Sequence, residues 1–216
     1  MKRKIAVVLS GCGVYDGAEI HEATLTLLAI ARQGAQYQCF APDIEQAHVV
    51  NHLTGHEMKE SRNVLVESAR IARGNIKPLA EFNSADFDAI VFPGGFGVAK
   101  NLCTFAFDGA DCKVNDDAQK AIQAMHKAGK PIGALCISPV LITKILGNVE
   151  VTIGNDKGTA EAVGQMGGKH VVASHGEVVV DTANKLVTTP CYMLEATIDQ
   201  IADGAECVIK TILSKL

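Results

Sequence analysis

The sequence predicts an α/β protein built on a mostly parallel sheet, and three observations carry that expectation. Residues 4–10 (KIAVVLS) and 88–92 (DAIVF) are near-continuous apolar runs, the composition of strands covered on both faces. Between and after such runs, apolar residues recur at helical spacing. The two runs end in glycine-rich breaks, Gly11-Cys12-Gly13 and Pro93-Gly94-Gly95, as strand–loop–helix units require.

Taken in order, residues 4–10 form the first strand. Residues 19–33 set Ile20, Ala23, Leu27, Leu28, Ile30 and Ala31 on a helical repeat that Gly34 closes. Residues 37–41 give a second strand, stopped by Pro42, which completes a β-loop-α-β opening. Residues 43–58 are irregular. A second helix is expected over 61–73, capped by Ser61 and ended at Gly74. The strand at 88–92 leads into a loop to about residue 111, and a helix follows over 115–128. Residues 131–135 are the next strand, with a helix over 139–146. Short strands are expected at 149–153, 171–173, 178–180 and 186–188, a short helix at 159–166, and a long closing helix at 194–213. No repeat, low-complexity tract or linker interrupts the pattern, so residues 1–216 are expected to form a single domain.

Composition excludes several function classes. A formal net charge of -4 without a basic cluster argues against nucleic acid or an anionic membrane as partner. The longest apolar runs are too short to span a bilayer, and no signal-peptide pattern follows the basic start. The seven cysteines are odd in number and show no CxxC spacing, so reduced thiols in a cytoplasm are expected in place of a disulfide framework.

One cysteine stands apart. Gly133-Ala134-Leu135-Cys136-Ile137-Ser138-Pro139 joins a buried strand to a helix, and sites in parallel sheets form at the carboxyl ends of strands. A side chain on so tight a turn is held exposed above the sheet in a strained backbone. The following helix would direct its positive end at the thiol, lowering its pKa and favouring thiolate. Pro93-Gly94-Gly95 ends a strand expected alongside and can present backbone N–H groups to a developing oxyanion. Glu19, at the start of the first helix, is a carboxylate that could meet the thiol and shuttle protons; the plainer alternative is a favourable charge at a helix N-terminus.

Together these segments resemble the PfpI-like superfamily of class I glutamine-amidotransferase-like proteins. VVLSGCGVYDGAEIHEA, RNVLVESARIARG, FPGGFGVAKNL, GALCISP and TTPCYM narrow the resemblance to a bacterial glyoxalase branch connected with isoprenoid biosynthesis, over essentially the whole chain. The resemblance implies a three-layer sandwich with a flavodoxin-like sheet and a nucleophile elbow, and a homodimer. It also implies a nucleophile at Cys136, a carboxylate at Glu19, backbone oxyanion donors at Gly95 and Ile137, no metal and no cofactor. The implied reaction converts a small dicarbonyl, glyoxal or methylglyoxal, to a 2-hydroxy acid without glutathione; some family members are described as deglycases.

The sequence departs from the superfamily pattern where a histidine would follow the cysteine: Ile137 stands there, and Ile153-Gly154-Asn155-Asp156 offers none after the next strand. His170 and His175 come later and are weaker candidates for a third member. Without that base, amide hydrolysis is hard to support, whereas a dicarbonyl needs only a thiol and one proton shuttle. A cysteine-based redox sensor is the rival reading from another class. His48, His52 and His56 recur every four residues, but HLTGH lacks the glutamate of HExxH and the stretch is a poor helix. Gly11-x-Gly13 has Asp16 where a dinucleotide fingerprint needs glycine. Cys12 could approach Cys136 as a redox partner, and Cys191 lies near another strand end; chance burial is the simpler account of both.

Overall fold

The computed structural model describes residues 2–216. The apolar runs become parallel neighbours. β1 (Lys4–Val8) pairs with β2 (Gln36–Ala41), and β2 with the short β3 (Ile76–Pro78). On its other side β1 pairs with β4 (Ala89–Phe92), β4 with β5 (Ile132–Leu135), and β5 with the late strand Leu186–Thr189. Between β5 and that strand the chain forms a separate parallel ribbon of β6 (Glu150–Val151) and β7 (Lys169–His170), then β8 (Val179–Asp181). Leu186–Thr189 is therefore β9, and β8 adds antiparallel to it at the sheet edge. The seven-stranded order is β3-β2-β1-β4-β5-β9-β8.

Side-chain alternation builds three layers. Ala6, Val8, Ile90, Phe92, Ile132 and Ala134 face one cluster, and Ile5, Val7, Ala89, Val91 and Leu135 face the other. The first face is covered by α4 (Asp116–Lys127) and α5 (Ser138–Leu146), through Ile122, Met125, Leu141 and Ile142. The second is covered by α1 (Ile20–Arg32) and α7 (Ile198–Ser214), through Leu27, Ile30, Val208 and Ile212. Each such side chain, fully buried, contributes roughly 1.5–3 kcal/mol. α2 (Val64–Ile71), the four-residue α3 (Phe105–Asp108) and α6 (Lys157–Gln165) complete the chain order. The expected α/β class with a mostly parallel sheet is the observed one.

Several boundaries differ from expectation for local reasons. The second helix starts at Val64 because Asn63, not Ser61, caps it by accepting from the Val66 amide, while the Ser61 hydroxyl bonds Glu45. β3 was not expected: it is three residues long and ends in proline, so it carries almost no pattern. Residues 171–173 do not form a strand; the pairing falls at Lys169–His170, whose partners lie in the ribbon instead of the main sheet. The closing helix begins at Ile198, where Gln200 bonds back to the Thr197 amide, because Cys191–Met193 forms a 3₁₀ turn of its own.

Candidate active site

Three loops converge where the central strands end. The Phe96 and Gly97 amides donate to Val14 and Gly17 carbonyls at 2.8 Å, and the Asn101 amide group donates to Ser10 and Asp16 carbonyls, so the loops after β1 and β4 are tied together. The Ser138 hydroxyl donates to the Pro93 carbonyl at 2.9 Å and ties the β5–α5 turn to them.

Cys136 occupies that turn with φ at +59°, one of four non-glycine residues in the left-handed region among the described residues. Such a conformation costs on the order of 1–3 kcal/mol and persists only where its surroundings dictate it. Here β5 pairing continues through the Cys136 amide, which donates to the Thr189 carbonyl at 3.0 Å, and α5 starts two residues later. The side chain is 7% exposed. The strand-to-helix elbow is present, but its thiol is buried, not exposed as the turn alone suggests.

The carboxylate that meets the thiol is Glu22. It is fully buried and shares a side-chain hydrogen bond with Cys136. Its two oxygens accept from the Gly94 amide at 2.9 Å and the Tyr192 amide at 3.2 Å. Burial, and after it the Glu19 charge, pushes Glu22 up to about 7, against the pull of those amides. Gly94 is what lets the pair meet: a Cβ there would lie 2.4 Å from the Cys136 Cβ and 2.7 Å from a Glu22 oxygen.

Glu19 stands elsewhere. It is the N-cap of α1, its carboxylate accepting from the Glu22 amide at 2.7 Å, while its own amide donates to the Gly94 carbonyl. The helix-terminal alternative describes it, and its place as the group at the thiol passes to Glu22, one turn further on. A sequence signal for Glu22 did exist. It falls on the same helix face as Ala23, Thr26, Ala29 and Ile30, all buried, so an acid sits on the core-facing stripe.

Backbone amides of Gly95 and Ile137 both hydrogen-bond the Cys136 sulfur. Even so, burial and the charge of Glu22 hold the thiol well above its usual range. The expectation of a thiol acidified by the α5 terminus is corrected: dehydration and a neighbouring carboxylate outweigh two amides. At rest the pair is a thiol beside a carboxyl group that titrates near neutrality.

The thiol opens onto a cavity of about 260 Å³. Val14, Gly95, Phe96 and Ala99 form one wall, Phe105 and Ala106 of α3 the next, and Ile137, Thr159, Tyr192 and Met193 the remainder. No histidine lines it. His175 belongs to a separate cleft with Ser174, Glu177 and Glu195, and His170 lies on β7. His21 bonds the Tyr192 hydroxyl at 2.8 Å. In the irregular segment, His52 stacks on Tyr15 and accepts from its amide, and His48 packs edge-on against Phe107. Among the described residues no group of three or more His, Cys, Asp or Glu converges. Cys12 lies among the charges of Glu67, Arg70 and Asp16 and does not line the cavity in front of Cys136.

A mostly parallel sheet with a strained cysteine on the strand-to-helix turn defines the class I glutamine-amidotransferase-like architecture. Comparison with known proteins extends that assignment to the whole chain. The "Glutamine amidotransferase-like class 1 domain-containing protein 3, mitochondrial" of Homo sapiens is 51% identical over 97% of this chain and 82% of its own length. The chain belongs to this family, which also contains ES1 proteins of rat and zebrafish. A crystal structure of an isoprenoid biosynthesis protein with amidotransferase-like domain from Ehrlichia chaffeensis superposes with a TM-score of 0.92 at 37% identity, covering 99% of this chain and all of that one. Glyoxalase III from Candida albicans shares the fold alone, at 14% identity and a TM-score of 0.64 over 98% of this chain and 96% of its own. No family profile matches the sequence.

These relatives correct one expectation. The human, rat and zebrafish proteins are all named mitochondrial, which overturns the cytoplasmic assignment. Reduced cysteines mark a reducing compartment and do not distinguish one from another.

Proposed function

We propose that this chain is a glyoxalase-type enzyme that converts a 2-oxoaldehyde to a 2-hydroxy acid on Cys136, with Glu22 as the proton shuttle. The observation that carries the reading is the fully buried Glu22 carboxyl group hydrogen-bonded to the strained Cys136 thiol. Glu22 takes the thiol proton as sulfur adds to the aldehyde carbon and passes it to the former aldehyde oxygen, giving a hemithioacetal and leaving Glu22 as carboxylate. It then removes the proton from that carbon and returns it to the neighbouring carbonyl carbon, while the hemithioacetal hydroxyl proton passes to the oxygen of that carbonyl. One carbon is oxidised as the other is reduced, so no oxidant or cofactor is consumed. Water cleaves the resulting 2-hydroxy thioester and releases the acid and the thiol. A carboxyl group near pH 7 suits both proton transfers. Amides at Gly95 and Ile137, directed at the sulfur, support a role for both in offsetting charge on the substrate oxygen.

The narrower resemblance to the bacterial glyoxalase ElbB agrees with this chemistry, and the name of the Ehrlichia relative is the ground for proposing a connection to isoprenoid biosynthesis. Burial to 7% exposure and a thiol held above its usual range work against the redox-sensor alternative, which needs an accessible thiolate. A cavity wall without histidine works against an amidase. The test is formation of glycolate from glyoxal by the purified protein and by Cys136→Ser and Glu22→Gln variants. Retention of wild-type turnover by either variant would end this reading.

A further inference from the structure

Glyoxal is a small, fully polar molecule, and the cavity that would receive it is neither small nor polar. At roughly 30 Å³ per water-sized group, 260 Å³ accommodates about eight or nine such groups, whereas glyoxal brings four heavy atoms and methylglyoxal five. Phe96, Phe105, Ile137 and Met193 are its large apolar side chains. Its polar side chains beyond the thiol are Thr159 and Tyr192, and the Tyr192 hydroxyl is already bonded to His21. No lysine, arginine, aspartate or glutamate side chain lines it. Phe96, half exposed at 49%, continues the apolar surface outward.

From this lining we infer that the preferred substrate is an uncharged 2-oxoaldehyde bearing a hydrocarbon substituent of several carbons, held by the apolar lining of the cavity with its aldehyde at Cys136. This rests on the glyoxalase reading above and names its substrate class. The chemistry is unchanged: sulfur bonds to the aldehyde carbon, Glu22 carries one proton from that carbon to the next, and water releases an alkyl-substituted 2-hydroxy acid. An anionic substituent, such as a carboxylate, a phosphate or a glutathionyl group, would enter a dry wall with no cation to meet it. Each added methylene should gain about threefold or more in kcat/KM until the cavity is full, chiefly through KM.

The experiment has two arms. In the first, kcat/KM is measured for methylglyoxal, n-propylglyoxal, n-pentylglyoxal and a pentylglyoxal carrying a terminal carboxylate, with wild type and Ala106→Asp. The expected result is at least a tenfold rise from methyl to pentyl, loss of that gain with the carboxylate, and its reduction in Ala106→Asp. In the second, alkylation of Cys136 by N-hexyl iodoacetamide, iodoacetamide and iodoacetate is followed on the Cys136 peptide by mass spectrometry, each rate normalised to free cysteine. The hexyl reagent is expected to exceed iodoacetate at least tenfold. Turnover that is flat with chain length overturns the apolar preference and leaves the glyoxalase reading in place. Absence of turnover with every 2-oxoaldehyde, beside a strong hexyl preference in alkylation, removes the glyoxalase reading and upholds the pocket's selectivity. Absence of preference in both arms overturns the inference outright.

Discussion

Two thiols at neighbouring strand ends invite comparison. Cys136 follows β5 and Cys191 follows β9, the strand beside it, one residue further on. Both sit at left-handed φ, +59° and +44°, and both are buried, at 7% and 6% exposure. Both are held well above the usual thiol range by burial first and then by the charge of Glu22. What differs is their company. Cys136 bonds the Glu22 carboxyl group, receives amides from Gly95 and Ile137, and opens onto the apolar cavity. Cys191 has no part in that wall, and its sulfur lies 3.5 Å from where a Cβ on Gly204 of α7 would stand. Its turn serves the site indirectly, by aiming the Tyr192 amide at Glu22. A strained cysteine at a strand end is therefore not enough for a nucleophile; the carboxyl group, the amides and the space in front of the sulfur distinguish the two.

The comparison breaks most sharply by exchange of sulfur for oxygen. Cys136→Ser is expected to lower glyoxal turnover by on the order of 10⁴-fold, while Cys191→Ser stays within about threefold of wild type, both read as initial rates of glycolate formation. Equal losses in the two variants would mean the thiols act as a unit. Glu22→Gln comes next, with kcat lower by on the order of 10³-fold and folding retained by circular dichroism, because the amide cannot carry the proton.

A third effect concerns stability. Glu22 rises from an ordinary 4.5 to about 7 on folding, so between those values the folded protein holds a proton that the unfolded chain has lost. The buried acid is tolerated fully below pH 4.5, and its ionisation then costs stability that grows until about pH 7, to roughly 3 kcal/mol by linkage. Urea denaturation of wild type and Glu22→Gln should therefore show the variant gaining relative to wild type from pH 4.5 to 7, and a constant difference above. A difference independent of pH would show that Glu22 is not perturbed. The smallest effect belongs to Glu19. Glu19→Gln should cost about 1 kcal/mol as a weakened helix cap, and removal of its charge should move the acidic limb of the kcat profile downward, since that charge raises Glu22. A loss of turnover as deep as that of Glu22→Gln, with an unmoved profile, would return the proton shuttle to Glu19.

Much of the fold was legible because its signals are local. Runs such as DAIVF and the helical repeat of residues 19–33 depend on which residues follow one another, and both formed elements within a few residues of expectation. β3 and β7 escaped because strands of three and two residues carry less pattern than their pairing partners supply. Within the site, Cys136 and the glycines of the β4 turn were visible for the same local reason. Glu22 carried a weaker signal, an acid on the apolar stripe of α1, and only the packing of that helix on the sheet shows that the stripe brings it to the thiol.

By itself, then, the sequence determined a mostly parallel α/β fold and placed Cys136 on a tight turn between a buried strand and a helix, since backbone preference and hydrophobic periodicity act over a few residues. Only the tertiary structure decided which carboxyl group reaches that thiol, that burial raises the thiol instead of its being acidified by the helix, and that an apolar cavity lies in front of it. Those properties arise between elements far apart in the chain: α1, the β4 and β5 turns, α3 and the Tyr192 segment each contribute a group or a wall. Desolvation and contact depend on all of them at once, and no stretch of sequence carries that sum.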